Sequence, residues 1–99
     1  MRRGEVWRYQ GISRSRPVLV ISCDELNDAE QPIIVDVTSF SPQGASSLLS
    51  VHIGDELGGY VRCRMISFAD SKRFVELLGT VPEPTMEQID MALRAALSL

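Results

Sequence analysis

The hydrophobic pattern of this chain changes its period once, and that change divides the sequence into two parts. Up to residue 81 the apolar residues come in short, β-branched runs, whose length and composition are typical of strands. From residue 85 onward the apolar residues recur every three or four positions, at Met86, Ile89, Leu93, Ala96 and Leu97, which is the spacing of one helix face. The sequence therefore predicts a β-rich body that ends in one amphipathic helix.

Six apolar runs predict strands, and two of them begin with a proline, which a strand tolerates at its first residue. The predicted strands cover residues 5–10, 17–22, 32–38, 48–53, 60–67 and 75–81. Loops or single helical turns are expected at 24–31, 39–47 and 70–74. Thr85, with Gln88 three residues later, predicts a capping box at the start of a helix over residues 85–97. This order of elements predicts a mainly β fold, a small barrel or strongly curved antiparallel sheet capped by the helix.

The length and composition are those of one domain formed by residues 1–99. No apolar run approaches the roughly 20 residues of a membrane span. The first residues lack the apolar core of a signal peptide, so a cytoplasmic protein is expected. Cys23 and Cys63 stand apart from each other and from any CxxC pair, which predicts two buried free thiols. We expect no metal and no cofactor, because the single histidine has no grouped ligands around it.

Positive charge is concentrated near the N-terminus. Residues 1–16 contain five arginines and one acid, a local net charge of +4, whereas the remaining residues carry a net charge of −7. This layout favours local binding of an anion over general coating of nucleic acid. The last of these arginines, Arg16, directly precedes Pro17 and a predicted strand, so its guanidinium could hold a phosphate in one orientation.

Two hydroxyl groups stand at the end of the predicted strand 32–38. If this strand neighbours strand 17–22, Thr38 or Ser39 could face the same pocket as Arg16. The guanidinium would supply charge and two parallel donors to a phosphoryl group, and the hydroxyl would add a neutral donor to a developing oxyanion. Such a pair suits cleavage of RNA by its own 2′-OH, because the substrate brings the nucleophile. An ordinary ion pair of Arg16 at the rim is the alternative.

Fragments spread over nearly the whole chain follow one another in a specific order and spacing. They are residues 3–7 (RGEVW), 16–22 (RPVLVIS), Asp24 with Asn27, 33–39 (IIVDVTS), 59–61 (GYV) with Ile66, 78–81 (LGTV) and 86–99. In this order the chain resembles the MazF/PemK/Kid family of toxin endoribonucleases. The resemblance implies an SH3-like barrel with a C-terminal helix, usually a homodimer, which cuts single-stranded RNA or mRNA at short sequences without a metal.

The resemblance also implies site residues, products and a partner. The catalytic arginine of the family matches Arg16, and its catalytic threonine or serine matches Thr38. The implied products carry a 2′,3′-cyclic phosphate and a 5′-hydroxyl, and the implied partner is a small antitoxin with an acidic or amphipathic tail. Further RNA contacts are expected from polar side chains near these two positions, namely Arg8, Arg14, Ser39 and Arg64.

This chain departs from the family pattern in two stretches. The loop at residues 11–15 is short and has no acid, and Arg64 with Met65 replaces an acid–amide pair. Both changes bear on the choice of substrate and leave Arg16 and Thr38 in place. Two other functions stay open, a non-catalytic toxin of the same barrel type that binds DNA gyrase, and a simple RNA-binding barrel. The overall acidity argues against the second, because non-specific binding needs many phosphate contacts.

Three further predictions concern side chains with two possible roles. Trp7 and Tyr9 alternate with Arg8, which favours core packing over base stacking. His52 lies within an apolar run, which favours a solvent-facing strand position over a general base. Arg62, two residues before Arg64, either extends a phosphate track or pairs with the acidic helix.

Overall fold

The computed structural model describes residues 1–99, with every side chain except those of Ser46 and Leu48. One six-stranded sheet contains β1 (Glu5–Gln10), β2 (Ser15–Val20), β3 (Ile33–Thr38), β4 (Ser50–Gly54), β5 (Gly59–Phe68) and β6 (Phe74–Thr80). The strand order is β4-β5-β3-β2-β1-β6, and all neighbouring strands are antiparallel. The helices are α1 (Asp24–Asp28) and α2 (Glu83–Leu97). The predicted curved antiparallel sheet with a C-terminal helix is confirmed.

Helix α2 covers one face of the sheet, which we call the helix-covered face, and closes the main core there. Ile89 is fully buried and Met86 nearly so. They pack with apolar side chains from four strands, namely Val6, Leu19, Val35, Val37, Val61 and Cys63. The apolar stripe fades toward the end of the helix, since Leu93 is partly buried and Leu97 is 55 % exposed.

The other face, which we call the groove face, has a smaller apolar cluster near β1 and an open polar region near β3. Tyr9 is buried in that cluster with Val18 and Ile34. The rings of Trp7 and Tyr9 both meet Phe74 edge to face, at centroid distances of 5.8 and 5.3 Å. The predicted packing role of Trp7 and Tyr9 is confirmed.

The start of the C-terminal helix differs from the prediction. Helix α2 begins at Glu83, so Thr85 lies inside its first turn and the predicted capping box is wrong. Pro84 occupies a first-turn position, where the missing N–H costs nothing because such amides have no intrahelical partner. The carbonyl of Pro82 instead accepts hydrogen bonds from the amides of Thr85 and Met86, both at 3.0 Å.

Two other sequence predictions are wrong in detail. Residues 44–49, which the sequence divides between a loop and a strand, form a 3₁₀ helix, and β4 begins only at Ser50. Both cysteines are free as predicted, but only Cys63 is buried. Cys23 is exposed because it lies just before α1, at the surface, and not within a strand. Among the described residues, no helix is long and apolar enough to cross a membrane.

Candidate active site

Strand register brings Arg16 and Thr38 to the groove face. Val18 of β2 is the direct partner of Asp36 on β3. Directly paired residues project to the same face, and so do residues two apart on a strand. Arg16 precedes Val18 by two residues and Thr38 follows Asp36 by two. The pairing of β2 with β3 ends at Val18 and Asp36, and a cavity of about 310 Å³ lies beyond it, lined by both Arg16 and Thr38.

Two contacts hold the guanidinium of Arg16, and a glycine leaves room for it. Its Nε donates a hydrogen bond of 3.1 Å to Oδ1 of Asp36, a carboxylate that is only 23 % exposed. Its Cζ lies 5.6 Å from the centroid of the Tyr9 ring, within the range of a cation–π interaction. On a third side is Gly11, where an added Cβ would lie 3.1 Å from Nη1. Among the described residues, nothing hydrogen-bonds to either Nη group of Arg16, so four N–H donors stay available to a ligand.

The Thr38 hydroxyl is held by its own loop, and the Thr38 backbone is held by the start of β5. Oγ1 accepts a hydrogen bond of 3.2 Å from the amide of Phe40, which leaves the hydroxyl proton for donation elsewhere. Gly59 has a φ of +107°, and a Cβ there would lie 2.7 Å from the carbonyl oxygen of Thr38. Only a glycine allows the two backbones to approach this closely.

Three adjoining cavities form a groove along this face. The central cavity, described above, is lined by Arg14, Arg16, Thr38 and Ser39 among others. The hairpin cavity, about 360 Å³, shares Arg16 with it and is also lined by Tyr9, Gly11, Ile12 and Arg73. The loop cavity, about 210 Å³, shares Thr38 and Phe40 with the central cavity. Arg16 and Thr38 therefore stand at the two junctions of a continuous groove.

The predicted RNA contacts divide into two pairs. Arg14 and Ser39 line the central cavity with Arg16. Arg8 lies on the opposite face of β1, where its Nε donates to Oε1 of Glu76 at 3.0 Å. Arg64 is exposed and lines none of the three cavities. The structure therefore places Arg14 and Ser39 in the same cavity as Arg16. Arg8 and Arg64 lie outside the groove, and an RNA contact of either residue stays a prediction.

Arg64 lies in a bulge of β5. Arg62 pairs with Asp36, whereas the next residue back on β3, Val35, pairs with Ile66. Three residues of β5 therefore have no partner on β3. They include Arg64 and Met65, the two positions at which this chain departs from the family pattern. A bulge of this kind re-aims side chains, and bulges are common beside active sites.

His52 projects from β4 onto the groove face but outside the three cavities. It pairs with Tyr60 across the strands, their ring centroids are 4.7 Å apart, and its side chain is 54 % exposed. The predicted solvent-facing position is confirmed. In the part of the chain whose side chains are described, no three His, Cys, Asp or Glu residues are grouped to hold a metal ion.

The structure adds site residues that sequence reasoning missed. Asp36 holds Arg16, and Phe40 and Gln43 line the loop cavity beside Thr38, together with Arg62, for which the sequence left a phosphate track and an ion pair with the helix open. One signal was available for Asp36, because it is the only charged residue inside an apolar strand. A carboxylate in such a position is rarely buried without a partner. Nothing local in the sequence marks Phe40 or Gln43.

Comparison with known proteins fits this fold and groove. A family model described as PemK-like, MazF-like toxin of type II toxin–antitoxin systems matches residues 2–97. This chain belongs to that family. No curated protein sequence matched the chain.

Solved structures of two endoribonucleases and of a MazE–MazF complex share the fold over the whole chain. An endoribonuclease in complex with its cognate antitoxin, from a mycobacterial species, is 28 % identical with a TM-score of 0.89, covering 100 % of this chain and 96 % of that one. A second mycobacterial endoribonuclease is 27 % identical with a TM-score of 0.86, covering 100 % and 92 %. A MazE–MazF complex from Deinococcus radiodurans is 18 % identical with a TM-score of 0.84, covering 100 % and 96 %, and at that identity shows the fold alone.

Proposed function

We propose that this MazF-like toxin is an endoribonuclease that cuts single-stranded RNA or mRNA at short sequences, without a metal, in the cytoplasm. The observation that carries the proposal is the Arg16 guanidinium, held by Asp36 and Tyr9 with its Nη groups free, in one cavity with the Thr38 hydroxyl. The mycobacterial proteins of 27–28 % identity are described as endoribonucleases, which supports the same activity here.

The reaction follows from the chemistry of the substrate. The ribose 2′-oxygen attacks the adjacent phosphorus, its proton leaves to a base, and the bond from phosphorus to the 5′-oxygen breaks. The leaving 5′-oxygen takes up a proton, so the products are a 2′,3′-cyclic phosphate and a 5′-hydroxyl. Negative charge builds up on the non-bridging oxygens during this step, and a held guanidinium stabilises it without reorganisation.

Arg16 and Thr38 have different parts in this step. The Nη groups of Arg16 offer parallel N–H donors to a non-bridging oxygen pair. Arginine stays protonated in proteins, so stabilisation of charge, with a hydrogen bond to the leaving 5′-oxygen, suits it better than a role as base. Thr38 donates its hydroxyl proton to a non-bridging oxygen or orients the 2′-OH. The general base is left unassigned, because no residue of the groove is marked out for that role.

We also propose a cognate antitoxin that covers the groove. The mycobacterial endoribonuclease of 28 % identity was solved in complex with its cognate antitoxin, and a groove that carries Arg14, Arg16 and Arg62 suits an acidic or amphipathic tail. Arg8 is not part of this surface, because it pairs with Glu76 on the other face.

We further propose that the toxin is a homodimer at micromolar concentration. One copy presents an open, shallow groove with large apolar side chains elsewhere at the surface, among them Phe68, Val75 and Leu77. A stable dimer would bury about 800 Å² on each partner. Sedimentation at increasing concentration measures this directly, and a protein that stays monomeric at tens of micromolar contradicts it.

One experiment tests the activity and separates it from the rival functions. The purified toxin is incubated with a mixed single-stranded RNA in EDTA, and the new 5′ ends are sequenced. Cleavage at a recurring short sequence, with 5′-hydroxyl ends, supports the proposal. A folded protein that binds RNA without cutting it, or that cuts none and instead inhibits DNA gyrase, would overturn it.

A further inference from the structure

Arg62 is a cation of the groove face that the proposed reaction does not use. It pairs with Asp36 of β3 on one side and with Ser50 of β4 on the other, so its backbone is held by two neighbouring strands. Its side chain is half-buried and lines the loop cavity. With the residues that the structure describes, this guanidinium makes no hydrogen bond or ion pair. The guanidinium has five N–H donors, and these are partly removed from water without an acceptor among the described residues. Such donors indicate a place where a ligand with acceptor atoms binds.

The loop cavity facing Arg62 offers two further kinds of contact. Phe40 is 80 % exposed, and an exposed ring beside cations provides a surface on which a nucleobase can stack. Gln43 contributes an amide with one acceptor and two donors, which can pair with a base edge. At about 210 Å³, the cavity is smaller than the roughly 300–1,000 Å³ of sites for drug-sized ligands. It therefore suits a single nucleotide.

The position of this cavity relates it to the scissile phosphate. Thr38 and Phe40 line both the loop cavity and the central cavity, so a chain that leaves the central cavity past Thr38 enters the loop cavity directly. Arg16 and Arg62 lie on either side of Asp36, one bonded to its carboxylate and the other paired with it across the strands. Two cations separated by one strand can each take one of two neighbouring phosphates.

We propose that the loop cavity binds the nucleotide next to the scissile phosphate, with its phosphate on Arg62 and its base on Phe40 and Gln43. The inference rests on the proposed ribonuclease function and adds a specificity-determining subsite to it. Arg62 binds the substrate in the ground state and the transition state alike, because its phosphate does not react. Its loss should therefore weaken binding and leave the chemical step nearly unchanged.

The test of the phosphate contact uses the cut site found by sequencing. A short RNA with that site and a 2′-deoxy sugar at the cleaved nucleotide cannot react, so it serves as the binding probe. Arg62→Ala should weaken its binding about tenfold and reduce the slope of log affinity against log salt by about 0.7, the value for one phosphate contact to a single strand. With the cleavable RNA, KM should rise and kcat should change little.

Two variants control for indirect effects. Arg62→Lys keeps a charge at this position and should restore most of the salt slope, which a folding defect would not do. Arg94→Ala removes an exposed arginine from the last turn of α2, on the other face of the sheet, and should leave the salt slope and KM at the parental values.

The base contacts have their own readout. Gln43→Ala should relax the base preference about tenfold at one position beside the cut, whereas Phe40→Ala should weaken binding of all bases alike, because stacking tolerates every base. A toxin that cuts RNA while both Arg62→Ala and Gln43→Ala keep the parental KM, salt slope and site preference overturns this subsite and leaves the proposed function standing. A parent protein that cuts no RNA overturns the proposed function itself, and the subsite with it.

Discussion

The helix-covered face and the groove face belong to the same sheet but depend on different properties of their residues. On the helix-covered face, Leu19, Val35 and Ile89 are fully buried, and apolar residues of similar volume would fill the same space. On the groove face, Arg16 is held by one carboxylate and one ring beside a glycine that leaves room for it, and no other side chain offers the same fork of donors.

The comparison teaches that stability and activity are separable in this molecule. Val37 belongs to both regions, since it packs in the core under α2 and lines the central cavity, whereas the other buried residues of that core line none of the three cavities. Substitutions on the helix-covered face should therefore change the free energy of unfolding. Substitutions at the junctions of the groove should change cleavage while the fold stays intact.

The largest effect is expected from Ile89→Ala. This side chain is fully buried between α2 and the sheet, and truncation of a buried isoleucine costs about 2–5 kcal/mol. Urea unfolding measures the loss, and the cleavage rate of the folded fraction should stay at the parental value. Met91→Ala, at a position 71 % exposed on the same helix, is the matched control and should change stability by less than about 0.5 kcal/mol.

Leu93→Ala refines this prediction. Leu93 is only partly buried, so its truncation should cost less than that of Ile89. If Ile89→Ala were as stable as the parent, the helix would be peripheral and the two faces would not differ in the way described.

The next effect is the loss of cleavage in Arg16→Ala. Removal of one preorganised charge-stabilising donor lowers the rate by about 10²–10³, while the protein should stay folded. Arg16→Lys keeps the charge but lacks the fork, so it should recover only part of the activity. Thr38→Ala should cost less than Arg16→Ala, because a neutral donor is weaker than a charged one.

His52→Ala is the discriminating control in that series. Its side chain lies outside the three cavities, so initial rates on the same RNA should remain parental. An inactive His52→Ala alongside a fully active Arg16→Ala would replace this site assignment with a histidine mechanism.

Much of the helix-covered face can be predicted from sequence, because burial leaves a periodic pattern. The β-branched runs locate all six strands, and the spacing of Met86 and Ile89 identifies the buried side of α2. Boundaries are less predictable where two local rules compete. Thr85 satisfies the spacing of a capping box, but Pro84 can stand inside a first turn, and the helix begins earlier at Glu83.

The groove is only partly predictable, because it depends on register. Arg16 and Thr38 stand 22 residues apart in the chain, and their sharing of a cavity depends on the pairing of Val18 with Asp36. A slip of one residue would move either side chain to the other face. Arg8 shows that charge alone does not predict which face of a strand a side chain takes. Its charge predicts a groove contact, but its place on β1 turns it toward Glu76.

Asp36→Asn should give a smaller effect on cleavage than Arg16→Ala. The amide can still accept from Nε of Arg16, but the charge-assisted part of the bond is lost, so kcat/KM should fall about tenfold, or about 1.4 kcal/mol. In an Arg16→Ala background the same change should have no further effect, because Asp36 acts through Arg16.

The matched control for Asp36 is Asp90→Asn. Asp90 forms an ion pair with Arg3, next to the helix-covered face, so breaking that pair should leave kcat/KM at the parental value. Additive losses in the Asp36→Asn, Arg16→Ala double variant would contradict a positioning role and point to a separate contact of Asp36 with RNA.

The smallest effect concerns Cys63, which is buried on the helix-covered face. Burial raises the pKa of its thiol from 9.0 to about 11. Below pH 9 the thiol is protonated in both the folded and the unfolded chain, so its contribution to stability is fully present. Between pH 9 and 11 only the unfolded chain loses the proton, and stability falls as pH rises.

Comparison with Cys63→Ala isolates this contribution from other titrating groups. Relative to that variant, the parent should lose about 1 kcal/mol between pH 8 and pH 10 in urea unfolding. An identical pH dependence for the parent and Cys63→Ala would mean that water reaches this thiol in the folded chain. Water would then enter the core of the helix-covered face more than its packing indicates. The two faces would differ in shape more than in their access to solvent.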